Sequence, residues 1–320
     1  MKILFVLIEL AAQQYWQAVT DYWHDHHPEI DWRVRPSENQ FSVFNAQERV
    51  FLKKNVASSL IDEDNWKPDL VVVSGGGYAF EAEHLRVAKS SCIPTLGFID
   101  TWYGYRHRFT FDGTVLMPDR LLTIDERMID EATQEGLPAD IMIPVGQPSW
   151  EKISTLAPSK TKTVLFLDAP VARDYGQKLG YTEIDVWKTV LTAKQRHPML
   201  FEPLLVAPHP SGKGWHDAAI TKIINYDPKS LQAIDSVIGM FSAPMVHAFL
   251  AGRRVISLQP NATGIDMCPL SRHGYIQRAS SATDLHNRMS DPLPNSKVLR
   301  KTVANSARNI TNFLKKAELS

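Results

Sequence analysis

Short apolar segments alternate with longer stretches of helical periodicity along the first half of the chain. The apolar segments are bounded by turn residues and cover 2–8, 32–36, 69–74, 95–100, 120–125 and 140–146. Helix-like stretches separate them at 12–24, 46–60, 80–90 and 126–135. Because these strands are apolar along most of their length, the β-α-β alternation predicts a parallel sheet covered by helices on both faces.

The same alternation starts again after an interruption. Residues 149–162 contain no periodic run and are predicted to be a linker. Beyond it, strands are predicted at 163–168, 203–210, 236–240 and 254–260, and helices at 183–196, 243–251 and from 295 onward. The sequence therefore predicts an α/β fold in which two Rossmann-like β/α/β domains face a central cleft.

Charge is distributed unevenly over the two predicted domains. The 320 residues have a formal net charge of zero, but residues 1–150 hold 13 Lys and Arg against 22 Asp and Glu, a charge of −9. Residues 151–320 hold 22 and 13, a charge of +9. A basic domain favours an anionic ligand. Its basic residues are not interleaved with aromatic side chains in one stripe, so no nucleic-acid partner is expected.

The sequence also limits the compartment and the cofactors. The apolar opening is short and is followed by no small-residue cleavage site, so we interpret it as a buried strand rather than a signal peptide. The sequence contains no run of 18 apolar residues, and a cytoplasmic location is expected. Cys92 and Cys268 are too few for a disulfide framework or a zinc ribbon. His24, His26 and His27 are interpreted as an exposed helix end, so neither a metal nor a cofactor is expected.

Candidate residues of the first domain follow its predicted strands, because ligands of parallel sheets bind at the carboxyl ends of the strands. Asp100 ends an apolar strand and could deprotonate a sugar hydroxyl. The acceptor-side candidates are Gly75, Gly76, Gly77, Tyr78, Trp102, Tyr103, Arg106 and His107. The glycines let a ligand approach the backbone, and the aromatic rings could stack on a sugar. The alternative is structural, with a tight turn, a helix cap at Asp100 and packed aromatic side chains.

The second domain carries the candidates for phosphate binding. His209 and Lys213 follow a strand and offer donors to a phosphate. Ser242 is predicted as the N-cap of the next helix, where its hydroxyl and the free amides can hold a phosphate. The loop Gln259, Pro260 and Asn261 ends the following strand. The alternatives are a solvated turn and ordinary β-α-β packing.

These residues carry a family resemblance over roughly 160–262. The restart at 163–168, the stretch from Asp174 to Glu183, the His209-Pro210 pair, Ser242 and the run from Gly252 to Pro260 resemble the C-terminal domain of GT-B glycosyltransferases. Among these glycosyltransferases, the resemblance is strongest to the bacterial surface-polysaccharide enzymes of sialyl-, polysialyl- and Kdo-transferase type. The resemblance implies that His209 and Ser242 bind the phosphate of a CMP-sugar, with Asp168 and Glu183 among the nucleotide-binding residues.

The resemblance also implies a division of labour. Residues 1–150 would form an acceptor-side domain, 151–162 a linker, and 163–320 a nucleotide-sugar-binding domain whose terminal helix crosses back to the first domain. That basic helix could alternatively contact an anionic membrane surface. The expected ligands are a nucleotide-sugar donor and a glycan or small-molecule acceptor.

The sequence departs from the family pattern at two points. Many GT-B enzymes and the related UDP-N-acetylglucosamine 2-epimerases have a Glu that holds the ribose hydroxyls where this chain has His247, and a neutral imidazole can bond only one hydroxyl. The Asp/Glu-Asp-Gly triplet that supplies the general base in some sialyltransferases is missing. We therefore infer from their positions after strands that Asp100 is the general base and that His209 stabilises the leaving phosphate. We predict a metal-independent glycosyltransferase, with two alternatives: a nucleotide-sugar 2-epimerase or hydrolase, or a catalytically silent binding protein.

Overall fold

The computed structural model describes residues 1–35, 66–209 and 219–316. The chain divides into two compact units: unit 1 is formed by Met1–Lys152 and Lys301–Ser320, and unit 2 by Ile153–Arg300. The predicted helix at 46–60 and the candidate Lys213 lie outside the described residues. Within the described ranges, no helix combines the length and the apolar character needed to cross a membrane.

Unit 1 is built on a parallel sheet. Its strands, with a small antiparallel hairpin formed by the fifth and sixth, are β1 (Lys2–Val6), β2 (Asp31–Arg35), β3 (Leu70–Val73), β4 (Thr95–Phe98), β5 (Thr110–Phe111), β6 (Thr114–Val115), β7 (Arg120–Thr123) and β8 (Met142–Pro144). The six strands that the described residues contribute to the sheet lie in the order β2-β1-β3-β4-β7-β8. The helices that follow them are α1 (Leu10–His26), α2 (Ala79–Ser90), α3 (Glu126–Gln134) and α4 (Pro148–Glu151).

The composition of β1 follows from its position between β2 and β3. Successive side chains of a strand point to opposite faces, and here both faces are covered. Ile3 and Phe5 pack into one core, with Phe5 4.7 Å from the ring of Trp16 on α1. Leu4 and Val6 pack into a second core on the other face. Each such buried side chain contributes roughly 1.5–3 kcal/mol to stability, which explains an uninterrupted apolar run.

Unit 2 repeats this architecture. Its strands are β9 (Val164–Leu167), β10 (Leu204–Ala207), β11 (Lys222–Ile223), β12 (Ser236–Gly239), β13 (Arg254–Leu258) and β14 (Arg278–Ala279). Among the described residues they lie in the order β11-β10-β9-β12-β13-β14, and all paired neighbours are parallel. The helices are α5 (Val171–Tyr175), α6 (Glu183–Arg196), α7 (Ala243–Leu250), α8 (Pro269–Arg272) and α9 (Ala282–Met289). The strands and α6 enclose one apolar core, with Phe166 of β9 packed on Trp187.

The end of the chain differs from the single helix predicted from 295. Two helices are present, α10 (Lys297–Val303) and α11 (Ser306–Lys315). Asn305 separates them with a left-handed backbone, φ +60°, which an α-helix does not accommodate. In unit 1, α11 packs on α1, and the Trp23 indole N–H donates to Thr311 Oγ1 at 2.8 Å.

The predicted fold class is confirmed, since both units are α/β with parallel sheets. The predicted linker needs a correction at its start, because Pro148–Glu151 forms the short helix α4. Gln147 caps this helix by accepting a hydrogen bond from the Ser149 amide at 3.0 Å, and Pro148 occupies its first turn. The pattern of apolar residues missed it because one helical turn is too short to show a period.

Candidate functional site

In unit 1, three strand ends bring polar residues to one edge of the sheet. Glu9 follows β1, the turn from Ser74 to Tyr78 follows β3, and Asp100 follows β4. These strands are neighbours in the sheet, in the order β1-β3-β4. The edge where the carboxyl ends of parallel strands meet is the usual place for a ligand.

The glycine turn after β3 requires glycine for two reasons. Gly75 and Gly77 have φ angles of +59° and +81°, which L side chains rarely adopt. A Cβ atom on Gly75 would also lie 2.8 Å from the Phe109 ring, and one on Gly76 would lie 2.6 Å from the Tyr78 ring. The turn is therefore closely packed, and Tyr78 at its end is 39% exposed.

Glu81, in the first turn of α2, ties this turn to the helix. Its side chain is 2% exposed. One carboxyl oxygen accepts a hydrogen bond from the Ser74 hydroxyl, and the other accepts one from the Gly76 amide at 2.9 Å. Burial raises the pKa of Glu81 from 4.5 to about 8, and the neighbouring Glu9 adds to the rise. Glu81 is therefore largely protonated at neutral pH.

Arg108 is the cation at the centre of these acidic groups. Its guanidinium lies 3.6 Å from the Asp100 carboxylate, and both side chains are mostly buried. Its charge also lowers the pKa of Glu9 and of Glu81, against the larger effect of burial. The Tyr78 hydroxyl donates to Glu9 at 3.2 Å, and burial with this contact raises the pKa of Tyr78 to about 12. Unit 1 thus holds three carboxyl groups around one arginine at a strand-end edge.

The aromatic candidates of this segment have different surroundings. Trp102 has no exposed ring face, since its side chain is fully buried against Trp150 and its indole N–H donates to Asp125 at 2.8 Å. Stacking of Trp102 on a sugar is therefore corrected to core packing. Tyr103 is partly buried, with the Arg108 guanidinium 5.6 Å from its ring.

Arg106 and His107 lie in an exposed turn. The Arg106 amide donates to Glu135, the residue that follows α3, at 2.8 Å. Partial burial and Arg108 lower the pKa of His107. Both side chains lie at the surface of unit 1.

In unit 2 the candidates also collect at the carboxyl edge of the sheet. Asp168 follows β9, His209 follows β10, Ser242 follows β12, and Gln259 follows β13. Because β9 lies between β10 and β12, His209 and Ser242 stand on either side of Asp168. These residues are spread over more than ninety positions of the sequence, and the parallel sheet brings them to one edge.

Ser242 is the most informative of these residues. It occupies the N-cap position of α7 with extended backbone, but its side chain makes no capping hydrogen bond. Its Oγ atom is buried and has no hydrogen-bond partner among the described residues. The first amides of a helix carry a partial positive charge and lack partners within the helix. In the first turn of α7, Pro244 has no N–H and the Met245 amide donates to the Ser242 carbonyl at 3.0 Å. The buried Ser242 hydroxyl and the Ala243 amide are therefore the donors that this helix start can offer to an anion such as phosphate.

His209 is partly buried close to three charged groups. Burial and the Arg173 charge lower its pKa, while Asp168 and Asp174 act in the opposite direction. Its imidazole is therefore neutral at physiological pH and can both donate and accept one hydrogen bond. Arg173 and Asp174 form an exposed ion pair of 2.6 Å next to it.

His247 lies one helical turn further along α7. Burial lowers its pKa to about 4, so its ring is uncharged at neutral pH. Tyr226, which follows β11, lies 3.4 Å from His247 Nδ1 through its hydroxyl. With the hydroxyl donating, the other ring nitrogen carries the proton and can offer one hydrogen bond to a ligand.

The loop after β13 is held from inside the unit. The Gln259 side-chain amide is buried and donates to Ser257 at 2.8 Å and to Asp266 at 2.7 Å. Its donors are used within the unit, and Pro260 is buried as well, so we reinterpret both as shaping the loop. Asn261 is exposed with φ +55° and remains accessible to a ligand. Glu183 accepts from the Ala172 amide at 2.7 Å and so fixes the entry to α5.

Three residues of these edges escaped the sequence analysis: Glu9, Glu81 and Tyr226. Glu9 had a usable signal, because it follows a buried strand directly, as Asp100 does. Glu81 is the third residue of a helix, a position where a glutamate often bonds back to the preceding turn. Tyr226 carried no such pattern. Among the described residues, no group of three or more His, Cys, Asp or Glu side chains is placed to hold a metal ion.

Comparison with solved structures identifies proteins of the same fold. The UDP-GlcNAc 2-epimerase of Methanocaldococcus jannaschii, in complex with UDP-GlcNAc and UDP, matches with a TM-score of 0.65 at 12% identity over 99% of this chain and 100% of that chain. The enzyme of Neisseria meningitidis bound to UDP-GlcNAc matches with 0.63 at 13% over 99% and 100%. That of Rickettsia bellii matches with 0.62 at 11% over 99% and 96%.

These similarities establish a GT-B-like fold. The matched enzymes are UDP-GlcNAc 2-epimerases. The comparisons therefore support the predicted GT-B fold but not the predicted sialyl- or Kdo-transferase type. No protein-family model matches the sequence, and no curated protein matches it.

Proposed function

We propose that unit 2 binds the nucleotide of a nucleotide-sugar and that the protein is an enzyme acting on that sugar. The observation that carries this proposal is the buried Ser242 Oγ without a described partner at the start of α7. An unsatisfied buried hydroxyl costs roughly 1–3 kcal/mol. A phosphate oxygen would accept its hydrogen bond, and the Ala243 amide at the start of α7 would bind the same group. His209, two strands away at the same edge, supplies a further donor.

Conversion of the donor itself, by 2-epimerisation or hydrolysis, is supported better than transfer to an acceptor. The similar structures are UDP-GlcNAc 2-epimerases, matched over nearly the whole chain. Unit 1 supplies carboxyl groups in unlike environments: Glu81 is buried and protonated, Glu9 is partly buried, and Asp100 is paired with Arg108. Sets of this kind divide the roles of acid and base. We assign nucleotide binding to unit 2, and UDP-GlcNAc is the first substrate to test.

Glycosyl transfer is the second candidate. The observation in its favour is the exposed ring of Tyr78 beside the open Gly77, where an acceptor sugar could stack. The two candidates differ in a simple requirement. A transferase consumes its donor only when an acceptor is added, apart from slow hydrolysis, whereas an epimerase needs the donor alone.

The nucleotide site can be tested by calorimetric titration of UDP and of CMP into the wild-type protein and two serine variants. In Ser242→Ala the hydrogen bond to a charged phosphate is lost, which costs about 1.5–3 kcal/mol, or roughly 10- to 150-fold in Kd. Ser281→Ala is the matched control, because Ser281 caps α9 of the same unit by accepting from the Asp284 amide. That variant should lose about 1 kcal/mol of stability and bind the nucleotide normally. Equal nucleotide affinity in both variants would show that Ser242 does not bind the nucleotide.

A further inference from the structure

His247 interrupts the buried run of side chains along α7. From Met245 to Leu250 every other side chain of the helix is buried, whereas His247 is only partly buried. Ala243, four residues before it, is exposed. Residues four apart lie one above the other on the same side of a helix. Ala243 and His247 therefore share a face of α7 that a ligand can reach.

This face begins at the donors that we assign to a phosphate. The Ser242 hydroxyl and the Ala243 amide lie at the start of α7. At 1.5 Å per residue, His247 lies about 6 Å further along the helix axis than Ala243. A ribose is joined to its 5′-phosphate through a single methylene group, so its hydroxyl groups lie at a comparable distance from the phosphorus atom. A nucleotide that extends from Ser242 along this face brings its ribose to His247.

The two polar groups at this position are uncharged. Burial alone lowers the pKa of His247 to about 4. Burial and the charge of Asp227 raise the pKa of Tyr226, so its hydroxyl keeps its proton and lies 3.4 Å from His247 Nδ1. Asp227 itself caps the short 3₁₀ helix that follows it, by accepting from the Lys229 amide at 2.9 Å. With Tyr226 donating to Nδ1, the Nε2–H group of His247 is the donor that a ribose meets.

The chemical group at this position decides how strongly a site selects ribose. Sites that require ribose hold its hydroxyl groups with a carboxylate, and a carboxylate can accept from both hydroxyls of a diol. Hydrogen bonds to an ionised group are also roughly twice as strong as those between neutral groups. A neutral imidazole whose other nitrogen is engaged has one N–H donor left. It can bind one hydroxyl oxygen, and loss of that hydroxyl changes the affinity little.

We propose that His247 makes the nucleotide site of unit 2 tolerant of 2′-deoxyribose, so that its ligands include deoxyribonucleoside diphosphate sugars as well as ribonucleoside diphosphate sugars. His247 donates one hydrogen bond to one hydroxyl group of the ribose and makes none to the other. This inference rests on the proposed function, because that function places the phosphate at Ser242. It concerns unit 2 alone and involves no chemical step.

The first test measures the Kd of UDP, 2′-deoxy-UDP and 3′-deoxy-UDP by calorimetric titration into the wild-type protein. One deoxynucleotide should bind as UDP does, and the other about 2- to 13-fold more weakly, which is the effect of one neutral hydrogen bond. A carboxylate that held both hydroxyls would instead weaken each deoxynucleotide by about 10- to 150-fold. Weakening of both deoxynucleotides, or equal binding of all three nucleotides, overturns the proposal.

The second test assigns the preference to His247. In His247→Ala the weaker deoxynucleotide and UDP should bind equally, whereas His247→Gln, which keeps a side-chain N–H donor, should retain the preference. His197→Ala is the matched control, because His197 is a partly buried histidine at the end of α6 that stacks on His286 at 3.7 Å. It should keep the wild-type ratio. Since each ratio compares two ligands on one variant, a general loss of phosphate affinity cancels.

The two proposals fail in different ways. A wild-type protein that binds none of the three nucleotides overturns the nucleotide site, and the assignment of His247 falls with it. A wild-type protein that binds UDP and is weakened by Ser242→Ala retains the nucleotide site. In that case, a UDP preference that is the same in His247→Ala as in the wild type shows that His247 does not contact the ribose, and it overturns this assignment alone.

Discussion

Replacement of Glu81 by glutamine should make the protein more stable at alkaline pH than the wild type. The folded state raises the pKa of Glu81 from 4.5 to about 8. Between these two pH values the folded protein keeps one proton that the unfolded chain has released, so the wild-type free energy of unfolding falls as pH rises. The slope is about 1.4 kcal/mol per pH unit, or about 4 kcal/mol between pH 5 and pH 8. Glutamine resembles the protonated acid and can keep both contacts to Ser74 and Gly76.

The assay is urea unfolding of wild type, Glu81→Gln and Glu83→Gln at several pH values from 5 to 9. Six of the eight tryptophans belong to unit 1, so intrinsic fluorescence reports mainly on its unfolding. All other titrating groups are common to the variants and cancel in the difference. The stability of Glu81→Gln relative to wild type should rise steadily up to pH 8 and then level off. Glu83→Gln, at an exposed position of α2, should show no such trend. A difference that stays constant from pH 5 to pH 8 would show instead that Glu81 is ionised in the folded protein.

Three other outcomes are expected. Gly75→Ala should destabilise unit 1 by about 1–3 kcal/mol in urea unfolding, because a left-handed backbone and the Phe109 ring both oppose a Cβ atom. Gly113→Ala, with φ +77° but open space around it, should destabilise the unit less. Equal losses of stability in the two variants would exclude a clash with Phe109. Arg173→Gln should raise the pKa of His209 in an NMR titration, since the Arg173 charge lowers it; Arg196→Gln, at the far end of α6, should leave it unchanged, and an unmoved His209 would contradict the placement. Trp102→Phe should lower the free energy of unfolding by about 1 kcal/mol, because the hydrogen bond to Asp125 is lost, while nucleotide affinity and turnover persist. A loss of activity at unchanged stability would show that Trp102 belongs to the functional site.

The fold could be predicted from sequence because its signals are local and repeated. Strands that are apolar along nearly their whole length, such as β1 and β3, have this composition because both faces of the sheet are covered. Their recurrence with helical stretches predicts parallel sheets. Short elements escaped because they show no period, as α4 does. The break at Asn305 escaped because one left-handed residue leaves little trace in an otherwise amphipathic pattern.

The candidate site was predicted where a residue's role depends on its position after a strand. Asp100, His209 and Ser242 all follow strands, and the sheets bring each to a carboxyl edge. What sequence could not supply was the environment of each side chain. Gln259 is engaged by Asp266, which lies seven residues further on. The raised pKa of Glu81 depends on the burial of its carboxyl group, which arises only when α2 packs with the glycine turn.

Conversion of a nucleotide-sugar without an acceptor can be measured by incubating the wild-type protein with UDP-GlcNAc alone. Proton NMR then follows the sugar signals over time. We expect signals of the C2 epimer, or of free sugar and UDP, at a rate that depends on protein concentration and is reduced in Ser242→Ala but not in Ser281→Ala. UDP-GlcNAc that remains unchanged while UDP binds to the protein would contradict it.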